Sequence, residues 1–332
     1  MSYSQYGKIE AIDFNNLVGT STSTTANQLN TIWAVGTGSK GYGQPAVARV
    51  AAGNEVMASD WYSLINTTSK ISTTQGTAIT SVTLPNSGDK INYVAAVTTN
   101  VSTVYPTSLN AVAQSTGTST TTTNASSWRL SITFTHTITF ASVGSIPAAD
   151  AVRYFFNAGG QLKIQCAHSA TGTAIDSMFN NLASGLGTIV LSGGTATIAG
   201  YTYTGTTQVG GNTGKATPTI GTAISYYSLT TTNQQIAKVT PATSPTGYGS
   251  SNITISAKSN GVQGSNGDAG TVITITTVWS EVLPTEPQGW ANIGLATTAG
   301  ASSTTVTPYS PSTSYLTNTW GTPSIVGAVT GS

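Results

Sequence analysis

One stretch of the chain, Trp128–Phe140, alternates polar and apolar residues over a long run that is interrupted only at His136. Threonine and serine occupy one face, and the apolar residues of the other face are Leu130, Ile132, Phe134, Ile138 and Phe140. A period of two is typical of a β-strand that buries one face and exposes the other. The stretch therefore predicts a strand in a half-buried sheet, and it is the clearest strand signal in the chain.

Further strand signals follow, separated by turn residues. They are Leu162–Ala167, Gly187–Leu191, Thr195–Tyr203, Ala223–Leu229, Gln235–Val239, Asn252–Ser259 and Gly270–Val282. The last two flank Asn260–Ala269, whose many glycine, asparagine and serine residues predict a hairpin loop. Several strands separated by turn signals favour an antiparallel sandwich.

Helical signals dominate the N-terminal part of the chain. Ser59 or Asp60 is a candidate cap for a helix whose apolar residues, beginning at Trp61, follow helical spacing. Residues 115–127 are almost entirely threonine, serine and asparagine, which predicts a linker. We therefore predict an α+β fold that is mainly β. It has a small helical N-terminal region (1–114), a linker (115–127), an antiparallel β-sandwich-like domain with short helices (128–284) and an extended C-terminal arm (285–332).

The composition is unusual in its lack of charge. Charged residues make up 6% of the 332 residues and the formal net charge is +1, whereas about 25% is ordinary for a soluble domain. We therefore expect no nucleic-acid partner. No stretch approaches the roughly 20 apolar residues of a membrane-spanning helix, and Met1–Gln5 lacks the features of a signal peptide. We expect synthesis in a cytoplasm, no membrane insertion, and a neutral hydroxyl-and-amide surface suited to packing beside copies of the same chain.

Metal and carboxylate chemistry has few candidate residues. His136, Cys166 and His168 are the residue types of a three-ligand zinc site, but their spacing does not support one, and Cys166 is interpreted as a small buried thiol. Glu281 and Glu286 flank Pro284 and are the candidate carboxylate pair of a glycosidase; the alternative is a strand end with solvated acids. We predict no metal, no catalytic residue and no cofactor.

Two further functional motifs need to be considered, a glycine-rich dinucleotide-binding loop and a catalytic triad. Gly36–Gly43 satisfies the G-x-G-x-x-G pattern of dinucleotide-binding loops, which requires a preceding strand and a following helix. Here a helix is predicted before it and Pro45 follows, so we interpret it as a flexible connector. A Ser-His-Asp triad is not excluded by residue counts, although no G-x-S-x-G elbow occurs.

The segment Asp150–Ile164 concentrates large aromatic residues that are scarce elsewhere. It predicts a short capped helix, a glycine hinge and a strand that enters a sheet. We expect its aromatic side chains to belong to the core rather than to a ligand-binding surface. The residues of interest are Arg153, Tyr154, Phe155, Phe156, Asn157, Gly159 and Gly160.

The C-terminal residues 285–332 show no clear periodicity but contain several aromatic residues. A solvated tail rarely carries so many, so we expect these side chains to dock either on the chain itself or on a neighbouring subunit. The candidate subunit contacts are Trp290, Tyr309, Tyr315 and Trp320.

Four segments together carry a resemblance to a known family. They are residues 6–16, Gly41–Gln44, Ala58–Asn66 and Arg153–Leu162, the last being the most specific. In order and across roughly residues 5–190, they resemble virion structural proteins of tailed bacteriophages, in particular those of cyanophages and other marine phages. The resemblance implies a place in the particle near the tail and brings no catalytic residues with it.

The resemblance and the composition lead to three functional hypotheses. The first is a non-enzymatic tail-fibre or tail-associated subunit that forms a homo-oligomer, with a trimer favoured, and contacts other virion proteins and a host-surface receptor. The repeats of long fibre shafts are absent, which favours a globular subunit, tip or attachment piece. The second hypothesis is a head decoration or neck (collar) protein. The third is a glycan-depolymerising tail enzyme that uses Glu281 and Glu286.

Overall fold

The computed structural model describes residues 10–112, 114–169, 171–198, 200–212, 214–216, 218–244, 248–263, 269–282, 298 and 300–331. The predicted fold class is confirmed: the chain is α+β and mainly β, with two antiparallel sheets and few helices. Among the described residues, none of the helices combines the length and apolar character needed to cross a membrane.

The helices are short and lie mostly in the first third of the chain. They are α1 (Ala11–Val18), α2 (Leu29–Trp33), α3 (Ala58–Gln75), α4 (Val94–Val104), α5 (Ala148–Asn157) and α6 (Ala174–Leu186). In α3 the carboxylate of Asp60 accepts a hydrogen bond from the Met57 N–H (2.8 Å), and the helix ends at Gly76 in the left-handed conformation. This pairing satisfies a backbone donor that the first turn of a helix leaves free.

The strands divide into two sheets. They are β1 (Gln114–Thr116), β2 (Thr120–Asn124), β3 (Ser131–Thr139), β4 (Gln161–His168), β5 (Thr188–Ile198), β6 (Tyr201–Val209), β7 (Pro218–Ile220), β8 (Gln234–Val239), β9 (Asn252–Ser259), β10 (Val272–Ser280), β11 (Ser302–Pro311) and β12 (Ser324–Gly331). In the first sheet the order is β1-β11-β4-β5-β6, and β2 also pairs with β11. In the second sheet the order is β12-β3-β10-β9-β8-β7.

The clearest predicted strand forms with one difference at its start. Strand β3 buries alternate residues, including Ile132 and Phe134, as the period of two predicts. Leu130, predicted to share that buried face, is instead 55% exposed and has a φ of 63°. This left-handed residue ends the alternation, so the strand begins at Ser131.

The prediction of a linker at residues 115–127 is wrong, because this segment contains β-strand structure. Within it, β2 pairs with β11 from Thr120↔Val306 to Asn124↔Ser302, and β1 pairs with the far end of β11. Threonine is β-branched and fits a half-buried pleated surface, so a run of threonines is compatible with an edge strand once a partner is present.

The C-terminal residues are integral to both sheets in the part that the structure describes. Strand β11 lies inside the first sheet, between β4 and the pair β1 and β2, and β12 forms an edge of the second sheet beside β3. The stretch predicted to be an extended arm therefore completes the sheets of its own chain. Its pairing partners are distant in sequence, which is why no local pattern indicated them.

The apolar core is continuous from the helices to the sheets. Phe14 and Trp61 of the helical region, Phe155 of α5, Ile275 of β10 and Trp320 all belong to one cluster of buried side chains. This shared core fixes the helical region against the sheets.

Candidate functional site

The aromatic residues of α5 are buried in the core. Tyr154, Phe155 and Phe156 are each at most 3% exposed. Phe155 packs edge-on against Phe140 with ring centroids 5.3 Å apart, and Phe156 stacks on Tyr226 at 4.2 Å. These rings are therefore inaccessible to a receptor in the folded chain.

The polar residues of α5 hold the glycine-rich connector at 36–43. The guanidinium of Arg153 donates hydrogen bonds to the carbonyls of Val35 (2.9 Å) and Lys40 (2.8 Å) and also pairs with Asp150. The amide of Asn157 donates to three connector carbonyls, those of Gly38, Lys40 and Gly41. Two separate segments of the family resemblance, Gly41–Gln44 and Arg153–Leu162, thus form one structural unit, which we call the junction (residues 35–44 and α5).

The junction argues against the dinucleotide interpretation of the glycine motif. No helix follows Gly43 within the described residues that precede α3, so a pyrophosphate would have no helix N-terminus to bind. Connector N–H groups, which a phosphate would need, already donate within the chain: those of Lys40, Tyr42 and Gly43 donate to the carbonyls of Thr37, Ile32 and Ala34. The motif is a connector, as the sequence predicts, but it is fixed rather than flexible, because Arg153 and Asn157 bind its carbonyls.

The C-terminal segment is also fixed to the junction. The side-chain amide of Gln44 donates to the Thr317 carbonyl (2.9 Å) and accepts from the Thr317 N–H (2.8 Å). Beside it, the Thr319 hydroxyl donates to the Tyr42 carbonyl (2.7 Å). These contacts bring together residues more than 270 positions apart.

The aromatic residues predicted as subunit contacts lie in different environments. Trp320 is buried in its own chain (1% exposed), which corrects its assignment as a subunit contact. Tyr309 lies under the Lys163 ammonium, 3.5 Å from the ring centroid. Tyr315 is 48% exposed, and Trp290 lies outside the described residues. Of the three that are described, Tyr315 is the most exposed and therefore the most accessible to a partner.

A histidine, a carboxylate and a serine do meet, at the end of β4. His168 Nε2 lies 3.0 Å from Asp176 Oδ1, and its Nδ1 lies 3.0 Å from Ser302 Oγ. Because a carboxylate only accepts, Nε2 donates to Asp176, and Nδ1 of the neutral ring accepts from the Ser302 hydroxyl. The Ser302 oxygen in turn accepts from Trp128 Nε1 (3.1 Å).

The titration properties of this network agree with a neutral histidine. Burial lowers the pKa of His168, and the hydrogen bond and charge of Asp176 only partly offset that effect. Burial alone would raise the pKa of Asp176, but hydrogen bonds from Thr171, Gly300, Thr173 and His168 bring it to about 2. The folded network therefore holds an ionised Asp176 beside an uncharged His168.

The geometry of this network fits a structural role and not that of a catalytic triad. The side chains of His168 and Asp176 are fully buried, as is Ser302, so a substrate carbonyl cannot reach the hydroxyl. A serine nucleophile must be accessible and must face an oxyanion hole. Instead, the network ties β4, β11 and the first turn of α6 together. No local pattern indicated this network, since Ser302 is one of many serines and lies far from His168 along the chain.

The other candidate ligands do not converge. His136 Nε2 contacts the Thr122 hydroxyl (3.1 Å), and Cys166 faces Thr304, where burial raises the pKa of its thiol to about 12. Among the described residues, no three His, Cys, Asp or Glu side chains are placed to hold a metal ion. Glu281 is buried and burial raises its pKa, while Glu286 lies outside the described residues.

The outer face of the second sheet is a regular array of small uncharged side chains. Across one row, Ala328, Thr135, Thr276 and Ser256 stand side by side on β12, β3, β10 and β9. On these four strands the single charged side chain of that face is Lys258. We call this surface the threonine face; its remaining members are Thr133, Thr137, Thr139, Asn252, Thr254, Val272, Thr274, Val278, Ser280, Ser324, Val326 and Thr330.

A second surface feature lies on the helical region. Two adjoining depressions of about 880 and about 430 Å³ share Tyr62 and Ser63 of α3. The larger lies between the start of α3 and residues 85–93, and the smaller between α3 and Tyr315. We call the pair the tyrosine groove. Tyr315, a residue singled out from the sequence, thus lies at the edge of a groove that no sequence pattern indicated.

Comparison with protein-family models, with curated proteins and with solved structures finds no match to this chain.

Proposed function

We propose that this chain is a non-enzymatic structural protein of the virion of a tailed bacteriophage. In this proposal it is a tail-fibre or tail-associated appendage subunit that forms a homo-oligomer and contributes to particle assembly and to host attachment. The sequence resemblance supports a location in the phage particle, and the threonine face supports assembly into a homo-oligomer. That face is the observation on which the proposal mainly rests.

The threonine face has properties of a subunit contact. Over its four strands nearly every side chain is short and uncharged, so covering it desolvates few charges and immobilises few long side chains. Strand spacing and rise give a face of about 500 Å². Two such faces in contact would bury about 1,000 Å², which reaches the lower bound of a specific interface.

A monomeric surface usually carries lysine and glutamate, which resist association through repulsion and side-chain entropy. On the threonine face those groups are missing from the centre, since Thr135 and Thr276 lie opposite one another there. An interface of this kind depends little on ion pairs and should therefore be insensitive to salt.

The proposed location is tested on purified particles of the phage that encodes the chain. Gold-labelled antibodies against this protein should mark the tail or its tip in electron micrographs. Labelling of the head or the neck would instead support the decoration or collar alternative. Intact particles that carry no label, although the antibody recognises the protein in disrupted particles, would contradict an exposed tail position.

The non-enzymatic part of the proposal is tested with host polysaccharides. Incubation with the protein should release no reducing ends. Cleavage that disappears in Glu281→Gln would contradict the proposal and would favour the glycan-depolymerising alternative.

A further inference from the structure

The tyrosine groove exposes parts of three aromatic rings on the surface of the helical region. Tyr62 is 45% exposed on α3, and Tyr315 is 48% exposed on the segment that follows β11. Tyr93 lines the larger depression and is held in place by an edge-on contact with Trp61, with centroids 5.4 Å apart. The groove thus presents partly exposed rings from α3, from the residue before α4 and from the turn after β11.

Several of the hydrogen-bonding groups around these rings are not used by the fold. Within the part of the chain that the structure describes, the hydroxyls of Tyr62 and Tyr315 and the side-chain amide of Asn66 make no hydrogen bond to protein. Glu55 lies in the larger depression and Lys70 in the smaller. A ligand in the groove would meet both half-exposed rings and free donors and acceptors.

This combination suits an oligosaccharide. A pyranose has an apolar C–H face that packs on an aromatic ring, and hydroxyls at its rim that pair with amides, phenols and carboxylates. An extended peptide fits less well, because the groove is bordered by α3, whose backbone groups are satisfied within the helix and offer no strand edge for pairing.

The charges of the groove favour a neutral sugar over an acidic one. Glu55 and Asp89 lie in the larger depression, against the single cation Lys70 in the smaller. Two carboxylates repel a uronate or a sulfated sugar, whereas a neutral hydroxyl can donate to them.

We propose that the tyrosine groove binds an uncharged oligosaccharide, with Tyr62 as its central stacking platform and Tyr315 as a second one. This inference deepens the proposed attachment role and rests on it only for the biological source of the glycan. Binding itself is a property of the isolated chain, so a failure here would leave the assembly proposal intact.

The test is calorimetric titration of the full chain with maltohexaose, cellohexaose and hexa-N-acetylchitohexaose, with hexagalacturonate as the acidic comparator. At least one neutral hexasaccharide should bind with a dissociation constant of about 1 mM or tighter. Tyr62→Ala and Tyr315→Ala should each weaken that binding about tenfold or more, and hexagalacturonate should not bind.

The matched control is Tyr201→Ala, which removes a tyrosine that is 64% exposed on β6 and lies outside the groove. It should leave the dissociation constant unchanged. The proposal is overturned if no neutral hexasaccharide binds, or if Tyr201→Ala weakens binding as much as Tyr62→Ala. Preferential binding of hexagalacturonate or of a proline-rich decapeptide would overturn it as well.

Discussion

The ring of Tyr154 occupies the space that a side chain on Gly43 would need. A Cβ atom built on Gly43 would lie 2.3 Å from the ring, and the φ of Gly43 is 68°. The close approach lets the connector lie flat against α5, where Arg153 and Asn157 bind its carbonyls. Two blocks of the family resemblance are therefore coupled by a backbone-to-ring contact that only glycine permits.

Replacing Gly43 by alanine should accordingly destabilise the chain. We expect Gly43→Ala to lower the free energy of unfolding by at least about 2 kcal/mol, from overpacking against Tyr154 together with backbone strain. The matched control is Gly53→Ala, because Gly53 also has a positive φ (86°) but no neighbour within 4 Å of an added Cβ. Urea titrations of both variants separate the two contributions; equal losses would contradict a specific contact with Tyr154.

Removing the Phe155 ring tests whether the aromatic block is core. We expect Phe155→Ala to cost about 3–5 kcal/mol, since the ring is fully buried and packs on Phe140 and Phe156. Tyr62→Ala, a truncation on the exposed face of α3, should change stability by less than about 0.5 kcal/mol. A Phe155→Ala variant that keeps its stability yet fails to attach to host cells would show that the ring contacts a receptor instead.

The buried His168 makes stability depend on pH. Burial lowers the pKa of His168, with the partial offset from Asp176, and burial likewise lowers that of His136. The unfolded chain binds protons near pH 6.5, while the folded chain resists them, so the free energy of unfolding should fall as the pH drops below about 6.5. Each histidine contributes at most about 1.4 kcal/mol per pH unit in that window.

The measurement is urea unfolding at a series of pH values between about 8 and about 5. His168→Asn should be less stable at every pH. Its free energy of unfolding should also vary less steeply with pH, because one fewer proton is taken up on unfolding. An unchanged slope in that variant would mean that His168 is already protonated in the folded chain. The contribution of Asp176, whose folded pKa is about 2, should persist above about pH 4 and disappear only on further acidification.

The sequence revealed those parts of the fold whose signal is local. Alternation identified β3, β9 and β10, and the aromatic block predicted α5 and the entry into β4. The run Thr120–Asn124 was missed because its threonines have no apolar face, and its strand exists only through pairing with β11, more than 170 positions away. Pairing at that separation leaves no periodic trace in either segment.

The candidate sites were harder to foresee for the same reason. The His168–Asp176–Ser302 network, the Gln44–Thr317 pair and the tyrosine groove each join residues from distant segments. Tyr315 was singled out as one of several aromatic residues in a C-terminal segment without periodicity, whereas Tyr62, which lines the same groove, is inconspicuous on α3. Only the folded chain brings the two tyrosines to the same groove.

Light scattering of the full chain tests most directly whether the threonine face mediates assembly. We expect the native protein to have the mass of an oligomer at ionic strengths of both about 0.01 M and about 1 M, where the Debye length falls from about 30 to about 3 Å. The double variant Thr135→Lys/Thr276→Lys should be monomeric at low salt, because it places like charges in an interface that otherwise has none at its centre. Thr123→Lys, the same change on the exposed face of β2, should remain oligomeric. A native chain that is monomeric at both ionic strengths would contradict the account.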